Sequence, residues 1–271
     1  MLRERIISSI DIPELEPFRT LRQTEEHRRT GIFVAEGEKV VRRLLGSPLT
    51  IRSLLMTPEW LELYRGHISN RPESIEVFVA PKALLETIVG FNLHQGIMAV
   101  GEIPGEQTIE SLFASSPSPR LFVAVDGLAN SENLGVLVRN CVAFGAHALI
   151  VGETSSSPYL RRAVRNSMGT VFKLPVIHVE NLGDVLGRLK KEFQMNVVGA
   201  HPHEERTTIA RTNFQRDCCV VFGSEGDGIS EPVRNACSSL AAIPMRNGVD
   251  SVNVANASAV FLYEVQRQRG S

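Results

Sequence analysis

From Leu121 onward the chain repeats one pattern, a short apolar run followed by a polar loop and a helical stretch, and few folds accept it. The run LFVAVDG (residues 121–127) is apolar enough for a strand covered on both faces. Further apolar runs lie at 148–151, 176–177, 196–200, 218–222 and 240–243. Helical stretches alternate with most of them. In LGVLVRNCVAFG, for example, Leu134, Leu137, Val138 and Cys141 recur at helical spacing and Gly145 supplies the stop. Alternation of this length predicts an α/β domain, a parallel sheet with helices on both faces.

The first hundred residues carry a shorter version of the same alternation. Leu15, Phe18 and Leu21 give residues 13–29 the look of an amphipathic helix. Strands are expected at 32–37, 51–56, 75–79 and 96–100, with helices at 38–46, 58–69 and 82–89 between them. Pro104-Gly105 and the run SSPSPR then bracket one marginal helix at 109–113. Pro/Ser-rich composition between two patterned regions is that of a linker. The expected division is a small α/β domain at 1–104, a linker at 105–119 and a larger domain at 120–271.

Composition narrows the class further. With 29 basic and 30 acidic residues, net charge neither indicates nor excludes a nucleic-acid partner. No run approaches the roughly 18 apolar residues that a membrane helix needs, and MLRERIISSIDIPE has no apolar signal segment. Cys141, Cys218, Cys219 and Cys237 form no CxxC pair and sit in apolar runs, as small core residues of a reducing compartment do. The expectation is a soluble, cytoplasmic protein.

Three loops that follow strands and precede helices carry the polar residues. NSENLGVLVR (130–139) holds Asn133 and Arg139. Arg139 lies off the apolar stripe of its helix, although a helix arginine is more often solvated or salt-bridged than functional. GSEGDGIS (223–230) places three glycines around Glu225 and Asp227, which permits close backbone approach to a ligand, with Ser230 a candidate N-cap. It is not a dinucleotide fingerprint, because the G-x-G-x-x-G spacing is missing, and this disfavours a nicotinamide enzyme. IPMRNGVDSVNVANASAVFLYEVQ (243–266) passes from a strand end through a polar loop containing Ser251 to Asn253, a candidate N-cap of the last helix. A capped helix N-terminus beyond a strand suits a polar or anionic ligand, though an ordinary terminal helix explains that stretch equally well.

Taken together, NSENLGVLVRNCVAFG, VVFGSEGDGIS and IPMRNGVDSVNVANASAVFLYE resemble the three signature motifs of the SpoU/TrmH branch of SPOUT RNA ribose 2′-O-methyltransferases, in order and spacing. NSMGTVFKLPV resembles the family's intervening segment. FVAEGEKVVRRLL and HQGIMAV resemble, less closely, the ribosomal-protein-like substrate-binding domain that often precedes the catalytic one; His94 departs from its usual pattern. The resemblance implies a SPOUT-type parallel sheet whose end is threaded into a deep trefoil knot, which ordinary connection rules exclude. It also implies a homodimer with the site near the subunit interface. S-adenosylmethionine would be held by main-chain groups of Ala200, Gly223, Ile243 and Val252, with Val252 standing where leucine is more usual.

By motif match, Arg139 would act on the ribose 2′-hydroxyl, and Ser251 would hold phosphate or Arg139. Asn133, Glu225 and Asn253 would order the loops. No metal is required, since a sulfonium donor activates its own methyl group. The implied substrate is RNA, ribosomal ahead of transfer RNA; a non-catalytic RNA-binding protein that keeps the fold is the alternative from another class. Two further clusters are open. His201, His203, Glu204 and Glu205 fit a polar loop better than a metal site. Arg161, Arg162 and Arg165, and separately Arg19, Arg22, Arg28 and Arg29, read as solvated faces or as phosphate contacts.

Overall fold

The computed structural model describes every residue except Met1, Ile10, Arg22, Gln23, 91–94, 203–206 and Ser271. His94, His203, Glu204, Glu205 and Arg22 therefore lie outside the described residues. The chain forms two compact units. One is Met1–Gly105 with Tyr159–Phe172; the other is Glu106–Pro158 with Lys173–Ser271.

The first unit contains β1 (Leu2–Ile6), α1 (Glu16–Arg19), α2 (Thr24–Arg29), β2 (Ile32–Glu36), α3 (Glu38–Leu45), β3 (Ile51–Met56), α4 (Pro58–Ser69), β4 (Ile75–Val79), α5 (Lys82–Val89) and β5 (Ile97–Glu102). Its sheet order is β1-β4-β3-β5-β2, parallel except that β5 runs against both neighbours. The strand β1 was not foreseen. Only its first residue is half-buried and the others are exposed, so it carries no apolar alternation to read. The single helix expected over 13–29 is instead a short 3-10 turn at Pro13–Leu15, then α1 and α2. Pro17 has no N–H to donate and is tolerated only in a first turn, which is where it stands.

In the second unit, α6 (Ile109–Ser115) leads into β6 (Leu121–Val125), α7 (Ser131–Ala143) and β7 (Ala148–Val151). After α8 (Arg161–Asn166), which packs in the first unit, come β8 (Val176–His178), α9 (Leu182–Lys191), β9 (Asn196–Ala200), β10 (Cys218–Phe222), α10 (Glu231–Ala236), β11 (Ser239–Ala241) and α11 (Val254–Arg269). All pairings in the order β11-β9-β10-β6-β7-β8 are parallel. Phe122, Ala124, Ile150, Val197 and Val221 pack under α6, α9 and α10 through Ile109, Leu112, Leu182, Leu186 and Val233. Strand residues of the other parity face α7 and α11, as in the edge-on contact of Phe222 with Phe261 at 5.6 Å.

Two expected boundaries change. The segment read as a linker is capped by Thr108, whose hydroxyl accepts from the Ser111 N–H at 3.2 Å, and it buries Ile109 and Leu112 in the core of the second unit. Residues Tyr159–Phe172, expected in the larger domain, cluster with the first unit because Phe33 takes Tyr159 and Phe172 against its ring, at 5.6 and 5.3 Å between centroids. The four cysteines are free and buried, and burial pushes the thiols of Cys218 and Cys237 up to about 11. No helix among the described residues is long and apolar enough to cross a membrane.

At the amino-terminal edge of the second sheet, the Leu121 N–H donates to His147 Nδ1 at 3.0 Å, so that nitrogen carries no proton. Burial depresses the His147 pKa, and Arg269 and Arg120 act in the same direction against Asp217. The unfolded chain therefore binds a proton here that the folded chain refuses. Stability is fully present above about pH 6.5 and falls as pH drops below it, until the folded imidazole titrates as well. Urea titrations between pH 7.5 and 5 will show this slope. His147→Asn, which keeps an acceptor without a titrating ring, will flatten it. Phe33→Ala removes the ring that Tyr159 and Phe172 pack on, and will lower unfolding free energy by about 3–5 kcal/mol in the same assay.

Candidate functional site

Parallel sheets bind ligands beyond the carboxyl ends of their strands. Here β11, β9, β10 and β6 lie side by side, so the residues after them share one edge. Ala200 closes β9, half-buried. Gly223 follows β10, buried. Ile243, half-buried, stands two residues past β11. Segment 207–209 runs beside Ala242: the Ala242 N–H donates to the Thr207 carbonyl and the Ile209 N–H to the Ala242 carbonyl, both at 3.0 Å.

The glycines of the 223–230 loop are dictated by space. A Cβ on Gly223 would lie 2.0 Å from the carbonyl carbon of Gly228. Gly228 itself sits at φ +69, a region few side chains tolerate. The loop is closed by paired bonds between Ser224 and Gly228, at 2.9 and 3.2 Å, and by the Asp227 N–H on Ser224 Oγ at 3.0 Å. Such a closed turn has its Glu225 side chain pointing outward, exposed.

Glu225 is one end of a bonded chain of side chains. Asn133 Nδ2 donates to Glu225 Oε1 at 2.7 Å, and Asn253 Nδ2 donates to Asn133 Oδ1 at 3.1 Å. Asn253 Oδ1 meanwhile accepts from the Ala255 N–H at 2.9 Å, so it is the N-cap of α11. Three loops distant in sequence are thus joined through one carboxamide, and the three residues expected to order the site are brought together.

The structure treats the other expected residues differently. Arg139 is exposed on α7 and makes no hydrogen bond or ion pair with any described residue. Ser251 is exposed, and no hydrogen bond joins it to Arg139. Val252 is 40% exposed. Seven residues separate Asn133 from Asn140, two helical turns, which puts both on the face of α7 that meets α11. Arg139 precedes Asn140 by one position and is rotated about 100° off that face.

Three contributors were not singled out from sequence. Asn130 Oδ1 caps α7, accepting from the N–H groups of Glu132 and Asn133 at 2.9 and 3.2 Å. Asn140 Nδ2 donates to the Ala255 carbonyl at 2.8 Å and to Ser258 Oγ at 2.9 Å, locking α7 onto α11. Asp126, buried at the end of β6, accepts from the Ser230 N–H at 2.7 Å; Ser230 stands at the N-cap position of α10, but its hydroxyl makes no capping bond. The seven-residue spacing of Asn133 and Asn140 was the available signal for the second; an aspartate closing an apolar strand was the signal for the third. Among the described residues no cluster of His, Cys, Asp or Glu could hold a metal ion.

A parallel α/β unit with three strand-to-helix loops bonded together at its carboxyl edge is built as a ligand-binding catalytic domain. The model of the SpoU rRNA Methylase family matches residues 120–263, and the chain belongs to that family. A Mycobacterium leprae (strain TN) protein described as an uncharacterized tRNA/rRNA methyltransferase is 30% identical over 244 residues, 89% of this chain and 72% of that one. A Yersinia pestis protein, the 23S rRNA (guanosine-2′-O-)-methyltransferase RlmB, is 34% identical over 195 residues, 71% of this chain and 78% of its own length. In three dimensions the chain is similar to the SpoU methyltransferase AviRb from Streptomyces viridochromogenes, solved in complex with AdoMet. The TM-score is 0.82 at 24% identity, covering 95% of this chain and 98% or more of that one, 99% in the complex.

The shared carboxamide is testable by a double-mutant cycle. Asn133→Ala and Glu225→Ala will not add: their coupling in unfolding free energy will be about 0.5–1 kcal/mol, modest because the pair is exposed. A coupling near zero in urea melts of the two single variants and the double variant would show that the bond does not tie the loops in solution.

Proposed function

We propose that this protein transfers a methyl group from S-adenosylmethionine to a ribose 2′-hydroxyl of RNA, with ribosomal RNA the substrate. The observation that carries the reading is the bonded trio Asn133, Glu225 and Asn253 at the carboxyl edge of a sheet whose family is the SpoU rRNA methylases. The relative in Yersinia pestis, named for guanosine 2′-O-methylation of 23S rRNA, supports the choice of ribose and of ribosomal over transfer RNA.

The residues present fit the donor. Ala200, Gly223, Ile243 and Val252 offer main-chain groups beyond adjacent strand ends, and the absence of a side chain at Gly223 lets the loop backbone fold tightly over that edge. When bound, S-adenosylmethionine would supply an electrophilic methyl group on a sulfonium, so the chain must position the acceptor oxygen, whose proton passes to water as the methyl group is taken up and the thioether leaves. Arg139 is the cation for that task. A guanidinium is not a free base at neutral pH, so its work is to hold the neighbouring phosphate or to stabilise the oxygen as its proton leaves. Ser251 in the flanking loop holds phosphate or Arg139, and the trio keeps both loops in place.

The family's trefoil knot is the topology we infer for 200–269. It is supported by a strand order in which β11 lies outside β9 while α11 returns to pack on α7. We infer a homodimer as well, because Val252, Val260 and Tyr263 are exposed and Arg139 bonds to no described residue of its own chain. The N-terminal unit is assigned to RNA binding, and the free, buried cysteines fit the cytoplasm.

Purified protein with radiolabelled S-adenosylmethionine will label ribosomal RNA, and nuclease digestion will release the label as a 2′-O-methylnucleoside. Labelling of transfer RNA alone would move the substrate, and no labelling of any RNA would overturn the activity. Arg139→Ala will lower kcat by about 100-fold or more, the scale of losing one preorganised charge at a reacting oxygen. Its affinity for S-adenosylmethionine by calorimetry will stay within about twofold of wild type, since the donor is held by main chain. Full activity in that variant would remove Arg139 from the mechanism.

A further inference from the structure

The amino-terminal edge of the second sheet carries a cavity that no part of the proposed reaction uses. Its volume is about 330 Å³, and it is lined by Lys190 near the end of α9, Gln194, Asn196 at the start of β9, Asn213, Arg216 and Asp217. Buried Met195 is its one apolar lining residue. The walls are bonded to each other. The Asn196 N–H donates to the Asp217 carbonyl at 2.9 Å, and Asn196 Nδ2 donates to the Asn213 carbonyl at 3.1 Å. From Asn196 the strand β9 runs to Ala200 at the carboxyl edge, a span of about 13 Å at about 3.3 Å per residue.

Three charged side chains line this cavity, and two of them have no opposite charge beside them. Asp217 is already balanced: its carboxylate accepts from the Arg120 backbone N–H at 2.7 Å, the Arg120 guanidinium at 2.8 Å and the Ser118 hydroxyl at 3.0 Å. Lys190 Nζ donates to the Cys237 carbonyl at 3.3 Å and pairs with no carboxylate of a described residue. The Arg216 guanidinium bonds to no described residue. The dipole of α9 accounts for a lysine in its last turn, but Arg216 lies outside any helix or strand. Both cations are exposed, so their repulsion is weak and the free fold tolerates it; an anion between them turns it into attraction. Neutral donors stand beside them. Asn196 Nδ2 uses one N–H on Asn213, Gln194 Nε2 uses one on the Lys191 carbonyl at 2.8 Å, and each amide keeps a second N–H.

We propose that this cavity binds a dianionic phosphoryl group, that of a small phosphomonoester or of phosphate itself, between Lys190 and Arg216. Two fixed positive charges match the charge of about −1.5 to −2 and the three strong acceptor oxygens that such a group carries at pH 7. A carboxylate brings one charge and two oxygens, and a phosphodiester of an RNA backbone brings one charge, so either leaves a cation unmatched. A cavity of this size is at the small end of ligand pockets and has room for a sugar phosphate. The site lies at the opposite edge from Arg139 and stands whether or not the protein methylates RNA.

The test is calorimetry on the full chain at pH 7.5 with three probes: inorganic phosphate, ribose 5-phosphate and dimethyl phosphate, a diester with one charge. Phosphate and ribose 5-phosphate will bind at one site per chain, and dimethyl phosphate at least about tenfold more weakly. Lys190→Gln combined with Arg216→Gln removes two charge-assisted bonds and will weaken both dianions by about tenfold or more. Arg139→Gln will leave their affinity unchanged, which separates this cavity from the methyl-transfer site. Because both cations are exposed, the double variant will melt as wild type does without ligand, and saturating phosphate will raise the melting temperature of wild type alone. Tighter binding of ribose 5-phosphate than of phosphate makes the ligand a sugar phosphate, and equal affinity makes it the phosphoryl group alone; either supports the site. Dianion affinity unchanged in the double variant, equal affinity for dimethyl phosphate, or no dianion binding at millimolar concentration would overturn it.

Discussion

The carboxamide of Asn133 donates to one loop and accepts from another, and the carboxyl edge of the second sheet depends on that double use. An amide has donors and an acceptor on one rigid plane, so it can span Glu225 and Asn253 without a change of protonation. Neither neighbour could replace it: a carboxylate at 133 would repel Glu225, and a hydroxyl is too short to span both. Asn253 has a second duty as N-cap of α11, so the position of the last helix and the order of the Glu225 loop are linked through three side chains. Asn140 repeats the linkage two turns along, fixing α7 to the backbone and hydroxyl of α11. The helix that carries Arg139 is thereby set by polar bonds at two points, while Leu137, Val138 and Cys141 fill the space beneath it.

Burial on the two sides of the sheet divides the labour. The face under α6, α9 and α10 is wholly apolar and carries the stability of the unit. At the carboxyl edge the buried polar groups are all satisfied: Asp126 takes the Ser230 N–H, and among the described residues no buried side-chain donor or acceptor is left without a partner. Free polar capacity is therefore concentrated where it is exposed, in Arg139, Ser251 and the 243–252 loop. This is the distribution a binding edge requires, since an unsatisfied group inside the protein would cost more than the ligand could return.

What was legible in the sequence follows from how each feature is encoded. The central strands β6, β7 and β10 announced themselves because each is buried throughout and must be apolar on both faces, whereas the edge strands β8 and β11 are short and partly exposed. Asn133, Glu225 and Asn253 were legible through motif resemblance, but that they bond directly was not, since no periodicity joins residues 92 and 120 positions apart. The exposed strand β1 left no pattern because it buries almost nothing. The helix α6 was expected, as a marginal helix at 109–113, but its place was hidden by the composition around it: SSPSPR reads as linker, yet Ile109 and Leu112 are a turn apart and both end in the core. The placement of Tyr159–Phe172 was beyond any linear reading, because it is decided by the ring of Phe33, which lies more than a hundred residues upstream.

The state of Arg139 is the point on which structure and proposed chemistry meet. A long cationic side chain that bonds to no described residue keeps its rotamer entropy, and ordering it costs on the order of 2 kcal/mol. A residue meant to hold the fold would have lowered that cost with a carboxylate, as Arg161 does with Glu36 and Arg120 does with Asp217. Arg139 has neither, while the helix beneath it is fixed by Asn133 and Asn140. An exposed guanidinium on a rigid base, bonded to no described residue, fits the proposed reaction, in which the phosphate and ribose of the RNA would be its partners. Pairing it with a carboxylate would stabilise the free protein and draw the charge away from the acceptor oxygen, so under the proposed reaction that charge is best left to the substrate.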